Sequence, residues 1–280
     1  MLVNSYEMLR QADKSTYAVL SPDFFNQNSL KAYIEIAEEF HRPIIVAYSG
    51  NMKTNFLTLE DAAEIGRYYA KKAEVPVCLH IDHGYDLKFV KKAIDLGFTS
   101  VMIDGSSDPF ETNVEKTQEI VHYAKEKNVC VEAEIGHVGS GKNYENEEEN
   151  DSVYTEVKDC VEFVNRTGID SVAVSIGTAH GIYAKGTPKL NFKRLKELKT
   201  VVNIPLVLHG GSSSGDENLK RAAELGISKI NLFTDIAMSG YRQLRESNAQ
   251  NMMDMLDDGD RGMKTALRHY YHTFREIGVS

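Results

Sequence analysis

Cysteine is scarce in this chain: Cys78, Cys130 and Cys160 are the only three among 280 residues. Their spacing matches no metal-binding pattern, and Cys78 and Cys130 lie inside apolar runs, which predicts reduced core thiols rather than disulfides. Long hydrophobic runs are also missing, none approaching the roughly 18 residues that a membrane-spanning helix needs. The start, Met1-Leu2-Val3-Asn4-Ser5, lacks the charged and apolar regions of a signal peptide. The expectation is a cytoplasmic protein with no membrane partner. Basic residues are in deficit: the net charge is −9 and the pI near 5.5, which argues against a nucleic-acid partner. Any phosphate must then be held by local dipoles and a few placed cations. No low-complexity linker divides the chain, so residues 1–280 are expected to form one domain.

What is present is a series of short apolar runs beginning near residues 17, 43, 75, 99, 129, 170, 204 and 227, with helix-length segments between them. Pro43, Pro76 and Pro205 precede three of the runs, while Gly97, Gly168 and Gly226 stand where a helix stops and the next strand starts. Asn28-Ser29 can cap one helix, and Thr58 with Asp61 forms a capping-box variant at another. Eight strand–helix units predict an α/β fold, a parallel (β/α)8 barrel of the TIM type. Two features interrupt the repeat. One is an irregular stretch, residues 137–154, expected to be a mobile active-site loop. The other is a C-terminal helical segment, residues 235–280, in which Met263 to Phe274 reads as a packing helix.

Barrel enzymes carry their chemistry at the carboxyl ends of the strands. Read in order, those ends supply Asn26, Ser49, Asp82-His83, Asp104, Glu134, His180-Gly181, His209-Gly210-Gly211-Ser212 and Asn231 to Asp235. The third run, Val77-Cys78-Leu79-His80-Ile81-Asp82-His83-Gly84, is cut short by an acid and an imidazole. Adjacent residues of a flat strand face opposite ways, so Asp82 and His83 share a pocket only if the chain turns there, a turn that Gly84 would permit. His83, His180 and His209 each precede a glycine. A single histidine in such a place is often structural, but three neutral imidazoles with an open fourth position make a catalytic zinc site. His80, three residues before His83, is a poor ligand candidate on strand alternation. His137 lies just past the fifth strand, within reach of a substrate. The glycine-rich turn Gly210 to Ser212 and the segment Asn231-Leu232-Phe233-Thr234 each precede a helix and suit an anion.

With these segments in place, the chain resembles the class II, zinc-dependent ketose-bisphosphate aldolases, the family of fructose- and tagatose-bisphosphate aldolases. The matching stretches are Leu79 to Gly84, Ser100 to Ser106, Val131 to Gly136, Ile176 to Tyr183 and Pro205 to Ser212, in the family's order. The resemblance implies Zn2+ on His83, His180 and His209, with Asp104 and Glu134 serving a second metal position. It implies Asp82 as the acid/base at the C4 oxygen. It further implies Gly181, Gly210, Gly211, Ser212 and Asn231, Leu232, Phe233 and Thr234 around dihydroxyacetone phosphate, with Asn26 and Ser49 on the substrate side. A phosphorylated ketose of the tagatose/fructose 1,6-bisphosphate kind, a homodimer or homotetramer, and a role left open for a monovalent cation complete the expectation. The chain departs from the family at two points. Gly139-Ser140-Gly141-Lys142-Asn143 replaces the usual Gly-Gly-x-Glu-Asp that carries a candidate carbon base, leaving Glu145, Glu147 and Glu148 as substitutes. Phe233 stands where fructose enzymes have Asp and tagatose enzymes Ala, which would reshape the pocket toward a different ketose phosphate. The alternative from another class is a metal- and sugar-phosphate-binding protein that has lost turnover.

Overall fold

A computed structural model describes residues 1–50, 56–139, 154–181, 183 and 186–275. After the short strand β1 (Leu2–Val3) and helix α1 (Tyr6–Asp13), strands and helices alternate. They are β2 (Val19–Pro22), α2 (Gln27–Glu39), β3 (Ile44–Tyr48), α3 (Leu59–Lys72), β4 (Val77–Gly84), α4 (Leu87–Leu96), β5 (Ser100–Ile103) and α5 (Phe110–Lys125). There follow β6 (Cys130–Ile135), α6 (Val157–Thr167), β7 (Ser171–Val174), α7 (Phe192–Val201), β8 (Leu206–Leu208), α8 (Asp216–Glu224) and β9 (Ile227–Leu232). Two helices close the described chain, α9 (Thr234–Arg245) and α10 (Met252–Arg275).

Strands β3 to β9 pair in sequence, all parallel, and β9 pairs with β2. A parallel bridge between Asp23 and Ala47 joins β2 to β3 and closes the ring, so the expected (β/α)8 barrel is the observed one. Helix boundaries follow the local chemistry. Asn26 with Ser29 and Thr58 with Asp61 form reciprocal capping boxes at α2 and α3, and Gly97 and Gly168 take left-handed C-caps on α4 and α6. Among the described residues no helix is long and apolar enough to cross a membrane, and all three cysteines are buried and free.

Two elements were not legible as barrel parts in the sequence: β1, which adds to β4 at Val77 and Cys78, and α1. Met8, Leu9 and Ala12 of α1 pack on Val19, Ile45 and Cys78 at the strand starts, plugging the amino end of the barrel. Strand alternation then stacks the inward side chains in layers above that plug. A middle layer includes His80, Met102, Glu132, Ala173, Val207 and Lys229; an upper layer holds Asp23, Ser49, Asp82, Asp104, Glu134, His209 and Asn231. The strands are apolar toward the helices and increasingly polar toward the open end.

Candidate active site

Of the strands that converge on the site, β4 is irregular. Its pairing with β5 shifts register between Ile81 and Gly84, and His83 itself adopts a left-handed backbone, φ 51°. This is how two consecutive residues come to face one pocket, and it corrects the expectation that Gly84 makes the turn. Gly84 is required for another reason: a Cβ there would lie 2.6 Å from the Met102 carbonyl oxygen and 2.4 Å from Val90.

The three histidines lie close together. The ring centroids of His83 and His180 are 4.8 Å apart, those of His83 and His209 4.6 Å, and those of His180 and His209 6.0 Å. One nitrogen from each lies within 4.8 Å of the others, and His83, Asp104 and Glu134 form a second such group. The outer nitrogens decide what the inner ones can be. His83 Nδ1 is 2.7 Å from Asp104 Oδ2 and His209 Nε2 is 2.9 Å from Glu132 Oε1, so each ring N–H is drawn to a carboxylate. The inner nitrogens, His83 Nε2 and His209 Nδ1, then present lone pairs to each other at 2.9 Å. Two facing lone pairs repel unless a cation or proton lies between them.

The surrounding charge fits a dication. Burial alone would lower the His83 imidazole, yet Asp82 and Asp104 lift it to about 10, a measure of how strongly the acids favour positive charge there. Burial lowers His180 to about 3 and also lowers His209, which keeps both rings in the neutral form that a metal binds. Glu134 is pushed up to about 8 by burial and by Asp104, and its Oε2 has no partner among the described residues. A buried carboxylate oxygen left unmet beside His83 and Asp104 suits a shifting cation.

Below this layer runs a buried chain that sequence reading missed. Lys229 Nζ is 2.9 and 2.8 Å from the two oxygens of Glu132, and 3.2 Å from His80 Nε2. His80 Nδ1 in turn meets Ser100 Oγ at 2.9 Å. Burial would raise Glu132, but Lys229 and His209 hold its carboxyl well below the usual range. His80 is therefore not a ligand, as expected, but the reason differs: it shares the inward face with Asp82, one layer deeper.

Above, a cavity of about 270 Å³ is lined by Asp23, Ser49, Asp82, His83, His180, Gly181, Gly210, Gly211, Ser212 and residues 231–234. Asp82 accepts a hydrogen bond from Asn231 Nδ2 at 2.7 Å. Burial would raise its pKa, but His83 and His209 bring it below the ordinary carboxylate value, so it is poised as a base. Gly210, at φ 67°, runs so close to Ala179 that a Cβ would lie 2.5 Å from that carbonyl oxygen. Gly211 N–H donates to the Asn231 carbonyl, and the Ser212 hydroxyl accepts from Phe233 N at 3.1 Å, tying the two turns into one wall. Tyr183 Oη braces it by accepting from Ala179 N at 2.8 Å.

Asn26 is a correction. Its side chain accepts from Ser29 N at 2.8 Å as the N-cap of α2, and it faces a separate cleft between α2, α9 and α10 rather than the cavity. The inward residue at the end of β2 is Asp23, an ionisable interruption of the run Val19 to Phe24 that the sequence displayed and the choice of Asn26 passed over. His137 meets the Ser106 hydroxyl at 3.0 Å and is not part of the cavity lining. Most of residues 137–154, including Glu145, Glu147 and Glu148, lies outside the described residues.

The family model for class II fructose-bisphosphate aldolase matches residues 3–279. The chain belongs to that family. Its fructose-bisphosphate aldolase relative in Staphylococcus aureus is 38% identical over 253 residues, covering 88% of this chain and 85% of its own. The enzyme of the same name in Staphylococcus epidermidis is 39% identical over 249 residues, with the same coverage of 88% and 85%. The crystal structure of the YdjI aldolase from Escherichia coli superposes with a TM-score of 0.88 at 31% identity, covering 99% of both chains. A putative fructose-1,6-bisphosphate aldolase from Coccidioides immitis gives 0.82 at 25% identity, over 97% and 96% of the two chains. The protein is thus an aldolase, a carbon–carbon lyase of a metal-dependent family whose substrates are phosphorylated sugars.

Proposed function

We propose that this aldolase is zinc-dependent and reversibly cleaves a phosphorylated ketose to dihydroxyacetone phosphate and an aldehyde. The observation that carries the reading is the convergence of His83, His180 and His209 beside Asp82, with carboxylates fixing the outer nitrogens of His83 and His209. Zinc held by those imidazoles would supply the electrophile for the substrate's carbonyl oxygen as negative charge develops there. Asp82, ionised, takes the C4 hydroxyl proton as the C3–C4 bond breaks and returns it to the aldehyde oxygen in condensation. Asn231 holds Asp82 in place for that transfer, and its own Oδ1, without a partner among the described residues, is free for a substrate hydroxyl. The wall of Gly181, Gly210 to Ser212 and Phe233-Thr234 receives the phosphate at the start of α9, with Ser49 also lining the cavity. Asp104 and Glu134, with His83, would offer a second set of ligands to the same cation. We assign the working state to the cytoplasm, as one domain in a homodimer or homotetramer.

The test is solvent exchange: the zinc-loaded protein with dihydroxyacetone phosphate in heavy water should exchange a hydroxymethyl proton without any aldehyde. Phosphate binding with no exchange would support a binding protein instead. Asp82→Ala should keep its metal and lose ketose cleavage; retained cleavage would mean that another group moves the C4 hydroxyl proton.

A further inference from the structure

Asp235 carries a carboxylate for which the cleavage chemistry has no task. It sits in the first turn of α9, behind the wall formed by Gly210 to Ser212 and Phe233-Thr234 and outside the cavity lining. Its Oδ2 accepts from Ser213 N at 2.6 Å and its Oδ1 from the Ser213 hydroxyl at 2.9 Å, so both oxygens close on one residue. An acid in a first turn is ordinarily explained by the helix dipole, which asks for no such partner.

The residue it holds is the strained one. Between β8 and α8 the chain passes through three left-handed positions, Gly210 at φ 67°, Ser213 at φ 60° and Gly215 at φ 84°. Glycine takes that conformation freely, but serine has a Cβ and keeps it only where its surroundings impose it. Next to it, the Ser212 hydroxyl accepts from Phe233 N at 3.1 Å and from Asp235 N at 3.3 Å. That fills both lone pairs and leaves the hydroxyl proton to donate toward the cavity that Ser212 lines.

The carboxylate is itself anchored from outside the barrel, where Tyr270 of α10 donates to Asp235 Oδ2 at 2.5 Å. Helix α10 lies hard on α9: a Cβ on Gly262 would stand 2.5 Å from the Ser239 carbonyl oxygen, and the Ser239 hydroxyl donates to the Gly262 carbonyl at 2.8 Å.

We propose that Asp235 is a positioning residue for the phosphate of dihydroxyacetone phosphate: it clamps Ser213 in the left-handed conformation so that the Ser212 hydroxyl faces the anion, and Tyr270 steadies the clamp from α10. Freed of the clamp, the turn relaxes and that donor swings away. The inference rests on the aldolase reading for the identity of the anion, but its test does not need turnover.

Calorimetric titration of the zinc-loaded protein with dihydroxyacetone phosphate gives Kd, and heavy-water exchange at saturating ligand gives turnover separately. Asp235→Ala should weaken Kd about tenfold and leave saturated exchange within about threefold, because the residue touches no reacting atom. Adding Ser213→Gly supplies a residue that takes φ 60° unaided, and the double variant should recover about threefold or more of the lost affinity. An acid that served only the helix dipole would lower the urea midpoint and leave Kd unmoved. That result overturns the inference, and so does a double variant with no recovery. Should Asp235→Ala not fold, Tyr270→Phe removes one donor and almost no volume; it should weaken Kd about threefold, and an unmoved Kd overturns the inference. A wild type that binds dihydroxyacetone phosphate without exchange defeats the aldolase reading alone, since Kd still decides the clamp. A wild type with no measurable affinity overturns both.

Discussion

Replacing Lys229 with methionine isolates the buried ion pair beneath the three-histidine cluster. The side chains of Lys229 and Glu132 are 1% and 2% exposed, and the charged atoms are 2.8 Å apart. At an effective dielectric near 20, that separation corresponds to roughly 6 kcal/mol of attraction. Most of it offsets the desolvation of both groups, so the pair as a whole contributes little. Breaking it from one side is different, because Glu132 stays buried and charged, at a cost of about 3–5 kcal/mol. The lower end applies to Glu132, since His209 Nε2 at 2.9 Å and the Ser171 hydroxyl at 3.4 Å still donate to the carboxylate. Lys229→Met should therefore lose about 3 kcal/mol, a large fraction of a typical 5–15 kcal/mol stability. The companion change Glu132→Gln removes the stranded charge while its amide oxygen can still accept from His209. The double variant should then recover about 2 kcal/mol relative to the sum of the single losses. Urea unfolding, run with chelator so that metal binding does not enter, reads all four corners of the cycle. A loss under about 1 kcal/mol for Lys229→Met, or a double variant as unstable as the sum, would refute the claim that Glu132 depends on Lys229 for its charge.

Gly210→Ala forces a Cβ to 2.5 Å from the Ala179 carbonyl oxygen at a left-handed φ. The two turns must part, and the KM for dihydroxyacetone phosphate should rise about tenfold or more in steady-state assays. Asn26→Ala removes the capping box of α2 and should cost about 1 kcal/mol in urea unfolding. Because Asn26 faces away from the cavity, its KM values should stay within about twofold of wild type; a larger change would return it to the substrate side.

The barrel was legible because its signals are local. Apolar runs of strand length, prolines at their starts and glycines at Gly97, Gly168 and Gly226 fix element type and order without any knowledge of contacts. The three histidines were legible for the same reason, each standing at the end of a strand whose direction was already known. What escaped detection depends on long-range pairing. Glu132 and Lys229 are 97 residues apart and look like charged flaws in apolar runs until the closed barrel brings them together. Asp23 and Asn26 are close in sequence, and only the pairing of β2, carried on by the bridge from Asp23 to Ala47, shows which one faces inward. Capping, a short-range device, claims Asn26 first.

The turn at His83 shows why the residue type at a site can conflict with the backbone it needs. Asp82 already faces inward by alternation, so His83 reaches the same pocket only by leaving the strand conformation, and it does so at φ 51°, where a residue with a Cβ is strained by roughly 1–2 kcal/mol. Glycine at this position would relieve the strain, but it would remove the imidazole that pairs with Asp104. The strain can be separated from the contacts of the ring by comparing two variants that both lack the imidazole. In chelator, His83→Gly should be more stable than His83→Ala by about 1 kcal/mol, the reverse of the order expected in an ordinary strand, where glycine is the weaker choice. If alanine proves the more stable, the backbone at residue 83 has relaxed out of the left-handed region once the ring is gone. The imidazole's own bonds, to Asp104 and toward His209, would then be what holds the turn, rather than the shifted pairing of β4 with β5.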